Sequence, residues 1–149
     1  MTLPYATSTA GQAREKEIRD ILRSVGASAV GFMVDDDNDL VIAQFRLHGR
    51  EVTIPVRVGA YADAWVKENQ RGPRTNEKDH IAKARKVAES AVWAILADWI
   101  KAQAAMMSAG FLNTDTAFLS HIQLADGQRV SDAITMRNSG IYLPQTEKS

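Results

Sequence analysis

Two runs of alternating apolar and polar residues meet at a short turn in residues 41–58, VIAQFRLHGREVTIPVRV. This period of two is typical of β-strands that bury one face and expose the other. His48 and Gly49 separate the runs, and a two-residue connection in which glycine supplies a positive φ joins antiparallel strands. The sequence therefore predicts a β-hairpin in which Arg46 lies across from Glu51.

A third strand precedes this hairpin. Residues 27–34 are small and apolar, and the run from Asp35 to Asp39 favours a turn, because Asp and Asn side chains hydrogen-bond to nearby backbone. Alternate aspartates of this run also match the first three ligand positions of a calcium-binding loop. However, Leu40 stands where that loop needs glycine and Arg46 where it needs glutamate, so we interpret the run as a turn between strands.

The last of the three strands carries a proline. Pro55 has no backbone N–H to donate, which predicts that this strand lies at the edge of the sheet or is bulged there. The three strands form an antiparallel meander with one apolar face, and such a face needs a helix to cover it.

An amphipathic first helix is predicted by apolar residues at three- and four-residue spacing, namely Ile18, Ile21, Leu22 and Val25. We expect it to extend from about Ala10 to Val25 and to end at Gly26. Ser8 or Thr9 is expected to be its N-cap.

A short helix over residues 59–69 and a much longer helix are predicted after the strands. The longer helix follows an N-cap at Thr75 or Asn76. It ends at Gly110, beyond which Phe111 is placed for the hydrophobic contact of a Schellman motif.

The long helix has one continuous apolar stripe, formed by Ile81, Ala84, Ala88, Ala91, Val92, Ile95, Trp99 and Ala102. Trp93, Leu96 and Ile100 lie outside this stripe and widen the apolar surface. We therefore expect the segment from Ala91 to Met107 to be largely buried.

Two short helices are predicted near the C-terminus, one from Thr114 to about Ile122 and one capped by Ser131. We predict a single α+β domain over residues 1–138 and a C-terminal tail over residues 139–149. The domain contains an N-terminal helix, a three-stranded antiparallel meander, a long central helix that covers the meander, and small C-terminal helices.

Composition excludes several classes of protein. The 149 residues include 18 Lys and Arg, 18 Asp and Glu and no Cys, so the net charge is zero and disulfides and thiolate zinc sites are excluded. No apolar run has the length of a membrane-spanning helix and no signal peptide is evident, so we expect a cytoplasmic protein. The common phosphate-loop, nucleophile and metal-ligand motifs are missing, so we expect no cofactor and no metal, and nothing requires an enzyme.

Charge is unevenly distributed along the chain. Ten basic and five acidic residues lie between Arg46 and Lys86, a net charge of +5, and the remainder carries −5. Loop arginines beside the unpaired N–H groups of a helix N-terminus are a reasonable phosphate site. The side chains that we predict to bind nucleic acid are Arg46, Arg57, Arg71, Arg74, Lys83 and Lys86. The alternative is that these charges only solubilise the chain and pair with their neighbours.

Two known arrangements have a similar order of elements. Helix, three strands, helix is the order of double-stranded RNA-binding domains, and the basic start of the long helix, with Lys83, Arg85 and Lys86, resembles their second helix. A three-stranded meander crossed by a long helix also resembles the core of phage single-strand annealing proteins.

A further resemblance extends over most of the chain. It rests on residues 5–9, Gly26 and Ala27, Gly49, Arg50 and Val52 leading to Pro55, Trp99 to Ala102, and residues 118–130, FLSHIQLADGQRV. These look like a family of small uncharacterised proteins from temperate phages and prophages. Genes of that family tend to lie among early, DNA-metabolism functions, so the resemblance implies an accessory protein that acts on DNA or on a host protein. It implies no catalytic residues.

We therefore predict a non-enzymatic phage accessory protein that binds nucleic acid, single-stranded DNA in preference to duplexes, mainly through its phosphates. The alternative is a protein-binding module that inhibits or modulates a host replication, recombination or defence factor, or a homo-oligomer formed through the long helix. The apolar surface that carries Trp93 and Leu96 supports this alternative.

Overall fold

The computed structural model describes residues 3–9 and 13–135 and confirms the predicted single α+β domain. The elements are α1 (Arg14–Ser24), β1 (Ala29–Asp35), β2 (Leu40–Leu47), β3 (Arg50–Arg57), α2 (Val58–Glu68), α3 (Glu77–Ser108), α4 (Thr114–Phe118), a 3₁₀ turn (Leu119–His121) and α5 (Val130–Thr135). The predicted boundary between domain and tail, at residues 138 and 139, lies outside the described residues.

The three strands form one antiparallel sheet with β2 in the centre. The predicted register is confirmed, since Arg46 pairs with Glu51. His48 and Gly49 form the connecting turn with φ of 49° and 78°, the left-handed conformation that a two-residue type I′ turn requires at both positions. β3 is an edge strand of this sheet, as the missing N–H of Pro55 predicts.

The core lies between the apolar face of the sheet and α3. Trp93 of α3 packs edge-on against Phe32 of β1 with the ring centroids 5.5 Å apart. Trp99 packs in the same manner against Phe118 of α4 at 5.7 Å, and Phe118 contacts Phe45 of β2 at 5.2 Å. Both α1 and α2 also pack against α3.

The buried surface of α3 differs from the single stripe that the sequence predicts. One buried stripe, Ala84, Ala88 and Ala91, belongs to the predicted set, and a second consists of Trp93, Ala97, Ile100 and Ala104. At 100° per residue the two stripes lie on opposite sides of the helix, so the middle of α3 is enclosed on both sides. Ala102 belongs to the first stripe only. It is exposed, because near the C-terminal end of α3 only the second stripe is buried.

The start of α3 projects beyond the sheet. At 1.5 Å per residue its 32 residues extend about 48 Å, whereas the eight residues of β2 extend about 27 Å. Arg85 pairs with Asp39 in the turn at one end of the sheet, so the preceding turns of α3 lie beyond the sheet, where Trp65 of α2 packs against His80. Ile81, the first member of the predicted apolar stripe, is therefore 56% exposed.

The predicted start of α1, at about Ala10, lies outside the described residues, and the predicted N-cap at Ser8 or Thr9 is wrong. The helix begins at Arg14 with Ala13 as its N-cap, so neither Ser8 nor Thr9 caps it. These two residues belong to a separate segment that has turns of its own, in which the Ser8 N–H donates to the carbonyl of Tyr5 at 3.0 Å.

Other helix ends follow the sequence closely. Gly26 and Gly110 end α1 and α3 with φ of 105° and 80°, and the Asn76 side chain accepts the N–H of Asp79 at 2.8 Å as the N-cap of α3. The predicted Schellman motif is formed at the end of α3, since the Phe111 N–H donates to the Met106 carbonyl at 2.9 Å and the Gly110 N–H to the Met107 carbonyl at 3.0 Å, but the Phe111 side chain is 74% exposed.

The short C-terminal helices are confirmed with one correction. α4 and the 3₁₀ turn fill most of the predicted helical stretch. α5 begins at Val130, so Ser131 lies inside the helix and does not cap it. Instead, the carboxylate of Asp132 accepts the N–H of Arg129 at 3.3 Å. None of the described helices is long and apolar enough to cross a membrane.

Candidate nucleic-acid interface

The turn between β1 and β2 fixes the positions of both α2 and α3. Asp39 has a φ of 58°, and its carbonyl accepts the N–H of Val58 at 3.2 Å while its Oδ2 accepts the N–H of Gly59 at 2.6 Å. Its other carboxylate oxygen forms an ion pair with Arg85 of α3. The Arg85 guanidinium, together with the Gly59 N–H, lowers the pKa of Asp39 despite its partial burial. Sequence analysis identified this residue only as part of a turn.

The segment of residues 3–9, which we call the N-terminal strap, lies against α2 and α3. The Tyr61 hydroxyl donates to the carbonyl of Pro4 at 2.5 Å, and the Tyr5 hydroxyl donates to Asp98 at 2.8 Å. The hydrogen bond to Asp98 raises the pKa of Tyr5. Arg14 holds the same carboxylate at 2.5 Å, so the strap is attached to two helices and indirectly to α1.

The connection between α2 and α3 is anchored near Trp65, whose ring is buried. The rings of Trp65 and His80 lie 5.2 Å apart, and His80 Nε2 is 2.7 Å from the carbonyl of Asn69. Lys83 Nζ lies 6.0 Å from the Trp65 ring centroid, within the range of a cation–π contact. Trp65 is thus a structural residue, and it offers no open face to a nucleic-acid base.

Arg46 and Arg57 lie near opposite ends of the sheet. Arg46 is on its polar face, where Nε donates to Glu51 at 2.6 Å near the turn between β2 and β3. Arg57 ends β3 and pairs with Leu40, six residues along β3 from Glu51. Six residues of strand correspond to about 20 Å, so the structure does not bring Arg46 to the other predicted residues.

The remaining four predicted residues lie on the loop that follows α2 or on the first four turns of α3. We call residues 58–90, which comprise α2, this loop and these turns, the α2–α3 hairpin. Arg71 and Arg74 are exposed in the loop of residues 69–76, where residues 71–76 line a depression of about 390 Å³. Lys83 and Lys86 are one turn apart on α3, and both face the N-terminal strap.

Seven of the ten basic residues between Arg46 and Lys86 form no ion pair with any residue that the structure describes. The three paired residues are Arg46, Arg50 and Arg85. The seven are Arg57, Lys67, Arg71, Arg74, Lys78, Lys83 and Lys86, and all lie on the α2–α3 hairpin except Arg57, which ends β3 directly before α2. The alternative that these charges pair with neighbours therefore holds for only three of the ten.

The unpaired cations lie on two opposite sides of the α2–α3 hairpin. Arg57 and Lys67 line a groove of about 680 Å³ between α2 and α3, together with Ile81 and Ala84. Lys83 and Lys86 lie on the opposite side of α3, because residues 83 and 86 are about half a turn away from 81 and 84 at 100° per residue.

The cavity between the N-terminal strap and α3 has a volume of about 380 Å³. Apolar atoms form most of its surface, to which four hydroxyl side chains and two lysines are added, and the lining residues are Ala6, Thr7, Ser8, Thr9, Lys83, Lys86, Val87 and Ser90. No carboxylate is among these residues. The sequence analysis missed the strap hydroxyls as site residues. The run of three hydroxyl residues was the available signal, but nothing local indicated that it would fold against α3.

The long helix offers less apolar surface than the sequence suggested. Trp93 and Leu96, which supported an interface to a protein partner or a second copy, are only 4% and 3% exposed. The sheet and its neighbours cover them. Among the described residues, no group of three or more His, Asp or Glu side chains could hold a metal ion.

Comparisons with protein-family models, with curated proteins and with solved structures found no match to this chain. The likeness to phage proteins therefore stays a prediction.

Proposed function

We propose that this protein binds single-stranded DNA, mainly through phosphate contacts made by the α2–α3 hairpin. The observation that carries the proposal is the set of seven basic side chains, all within residues 57–86, that form no ion pair with any described residue of a chain whose net charge is zero. Unpaired Lys and Arg side chains bind phosphates and release the counterions condensed on the nucleic acid.

The arrangement of these cations favours a flexible ligand. They lie on both sides of α3 and on the loop at the end of the hairpin, so a strand that reaches all of them must bend sharply around the helix pair. Duplex DNA has a persistence length of about 50 nm and resists such bending, whereas a single strand follows it easily.

The interface lacks an exposed aromatic ring among its described residues, since Trp65 is buried. Base stacking therefore adds little, and phosphate contacts dominate. We expect weak sequence preference and a steep dependence on salt, with the logarithm of the binding constant falling by about 0.7 per phosphate contact for each tenfold rise in salt.

The test is fluorescence anisotropy of labelled single-stranded DNA, duplex DNA and duplex RNA across a range of salt concentrations. The variant Arg71→Ala/Arg74→Ala should weaken single-strand binding and lower the salt slope by about 0.7 for each lost contact. The matched control is Arg23→Ala/Lys101→Ala, which removes two exposed cations that also form no ion pair with any described residue but lie outside residues 57–86, one on α1 and one in the last third of α3.

Three results would overturn the proposal. The first is a protein that binds none of the three ligands, and the second is binding that does not respond to salt. The third is an equal loss of affinity in the hairpin variant and the control variant, which would indicate a general charge effect and no site on the hairpin.

A further inference from the structure

We propose that the cavity between the N-terminal strap and α3 holds one nucleotide unit, with its phosphate between Lys83 and Lys86. The sugar of that unit lies against Ala6 and Val87. This inference rests on the proposed function, because it names the place where one phosphate of the bound strand is held. It adds the strap to the interface and assigns its hydroxyl groups to recognition.

The cavity is formed by two parts of the chain that are far apart in sequence. On α3, the residues Lys83, Lys86, Val87 and Ser90 recur at three- and four-residue spacing and so share one side of the helix. The strap faces this side, and the Tyr5–Asp98 and Tyr61–Pro4 hydrogen bonds fix its position. The volume of about 380 Å³ falls within the range of roughly 300–1,000 Å³ that is usual for small-molecule sites.

Most polar groups of this cavity are unused within the protein, the exception being the Lys83 ammonium, which lies 6.0 Å from the Trp65 ring centroid. Neither lysine has an ion-pair partner among the described residues, and the hydroxyls of Thr7, Ser8, Thr9 and Ser90 make no hydrogen bond to any described residue. Two ammonium groups and several hydroxyl donors, with no carboxylate beside them, match the acceptor oxygens and negative charge of a phosphate.

The strap is held by hydrogen bonds that leave these hydroxyls available. Its own turns use only backbone groups, with Ala6 N–H donating to Leu3 at 3.3 Å and Ser8 N–H donating to Tyr5 at 3.0 Å. The strap is therefore fixed through tyrosine hydroxyls and backbone, while the side chains of residues 7–9 remain free for a ligand.

The experiment separates the hydroxyl groups from the charge. The variant Thr7→Val/Ser8→Ala/Thr9→Val removes three hydroxyls and no charge, and it should lower the affinity for single-stranded DNA about tenfold while the salt slope stays unchanged. Lys83→Ala/Lys86→Ala should lower both the affinity and the slope. The control Ser28→Ala/Ser108→Ala/Ser120→Ala removes three exposed hydroxyls elsewhere and should change neither.

A second measurement tests the cavity without DNA. Thymidine 5′-monophosphate should produce saturable amide chemical-shift changes at residues 6–9 and 86–90 of the wild type, and thymidine without phosphate should not. This readout also shows that each variant is folded, because an unfolded chain loses its shift dispersion.

The outcomes distinguish the inference from the proposed function. If the wild type binds DNA and the hydroxyl-deficient variant binds equally well, the cavity is not part of the interface and the proposed function stands. If the wild type binds no DNA but the nucleotide shifts residues 6–9, the cavity is a nucleotide site and the proposed function fails. If the nucleotide shifts none of these amides, the inference is wrong.

Discussion

At the residue scale, the contact between Gly59 and Asp39 decides how the α2–α3 hairpin is attached to the sheet. A Cβ at position 59 would overlap the Asp39 carboxylate, and it would break the hydrogen bond that joins the β1–β2 turn to the first turn of α2. Gly59→Ala should therefore lower the free energy of unfolding by about 1–3 kcal/mol, the usual cost of overpacking. Urea denaturation monitored by circular dichroism measures this change.

Gly31 supplies the matched control for this prediction. It lies in β1 with no atom within 4 Å of an added Cβ, so Gly31→Ala should be neutral or stabilising. In an Asp39→Gly background, Gly59→Ala should lower the free energy of unfolding much less, because the overlapping carboxylate is gone. Glycine accepts the φ of 58° found at position 39, so this background keeps the turn. An equal loss of unfolding free energy in both backgrounds would contradict the overlap between the added Cβ and the Asp39 carboxylate.

At the scale of elements, the β-hairpin of β2 and β3 was predictable from the sequence, and the position of the N-terminal strap was not. The register at Arg46 and Glu51 follows from a period of two and a two-residue turn, which are local features of the sequence. The strap depends on the bond from Tyr5 to Asp98, which joins residues 93 positions apart. No local pattern indicates which of many carboxylates a distant tyrosine will meet.

The same reasoning explains which site residues could be predicted. Lys83 and Lys86 were identifiable because a cluster of basic residues is visible in the sequence. Whether each cation is paired depends on the fold, as Arg85 illustrates through its ion pair with Asp39. The hydroxyls of the strap became candidates only when the fold placed them beside α3.

The attachment of the strap is testable as an element. In Tyr5→Phe/Tyr61→Phe both hydroxyl bonds that hold it are lost, while the rings and their packing are retained. Because these bonds lie at the surface, we expect global stability to fall by only about 1–2 kcal/mol and the Ser8 amide to exchange with solvent much faster. Hydrogen exchange followed by NMR measures this. Unchanged protection of the Ser8 amide would mean that other contacts hold the strap.

At the scale of the whole molecule, His121 connects pH to stability. Its ring packs edge-on against Trp99 with the centroids 5.7 Å apart, and its Nδ1 is buried without a hydrogen-bond partner among the described residues. Burial, assisted by the nearby charge of Arg129, lowers its pKa from the model-peptide value of 6.5. The neighbouring Ile122 forms an isolated bridge with Val52 of β3, so this histidine lies where the C-terminal helices close onto the sheet.

The direction of the pH effect follows from this lowered pKa. Below about pH 6.5 the unfolded chain binds a proton at His121 that the folded chain does not, so stability is complete above that pH and falls as the solution becomes more acidic. The carboxylates with lowered pKa values, such as Asp39 and Asp132, start from 3.8 and contribute only at lower pH. The free energy of unfolding should therefore decline as the pH falls below about 6.5, by at most about 1.4 kcal/mol per pH unit. His121→Gln should be less stable at neutral pH but lose this slope, whereas an identical slope in both proteins would assign the effect to another group.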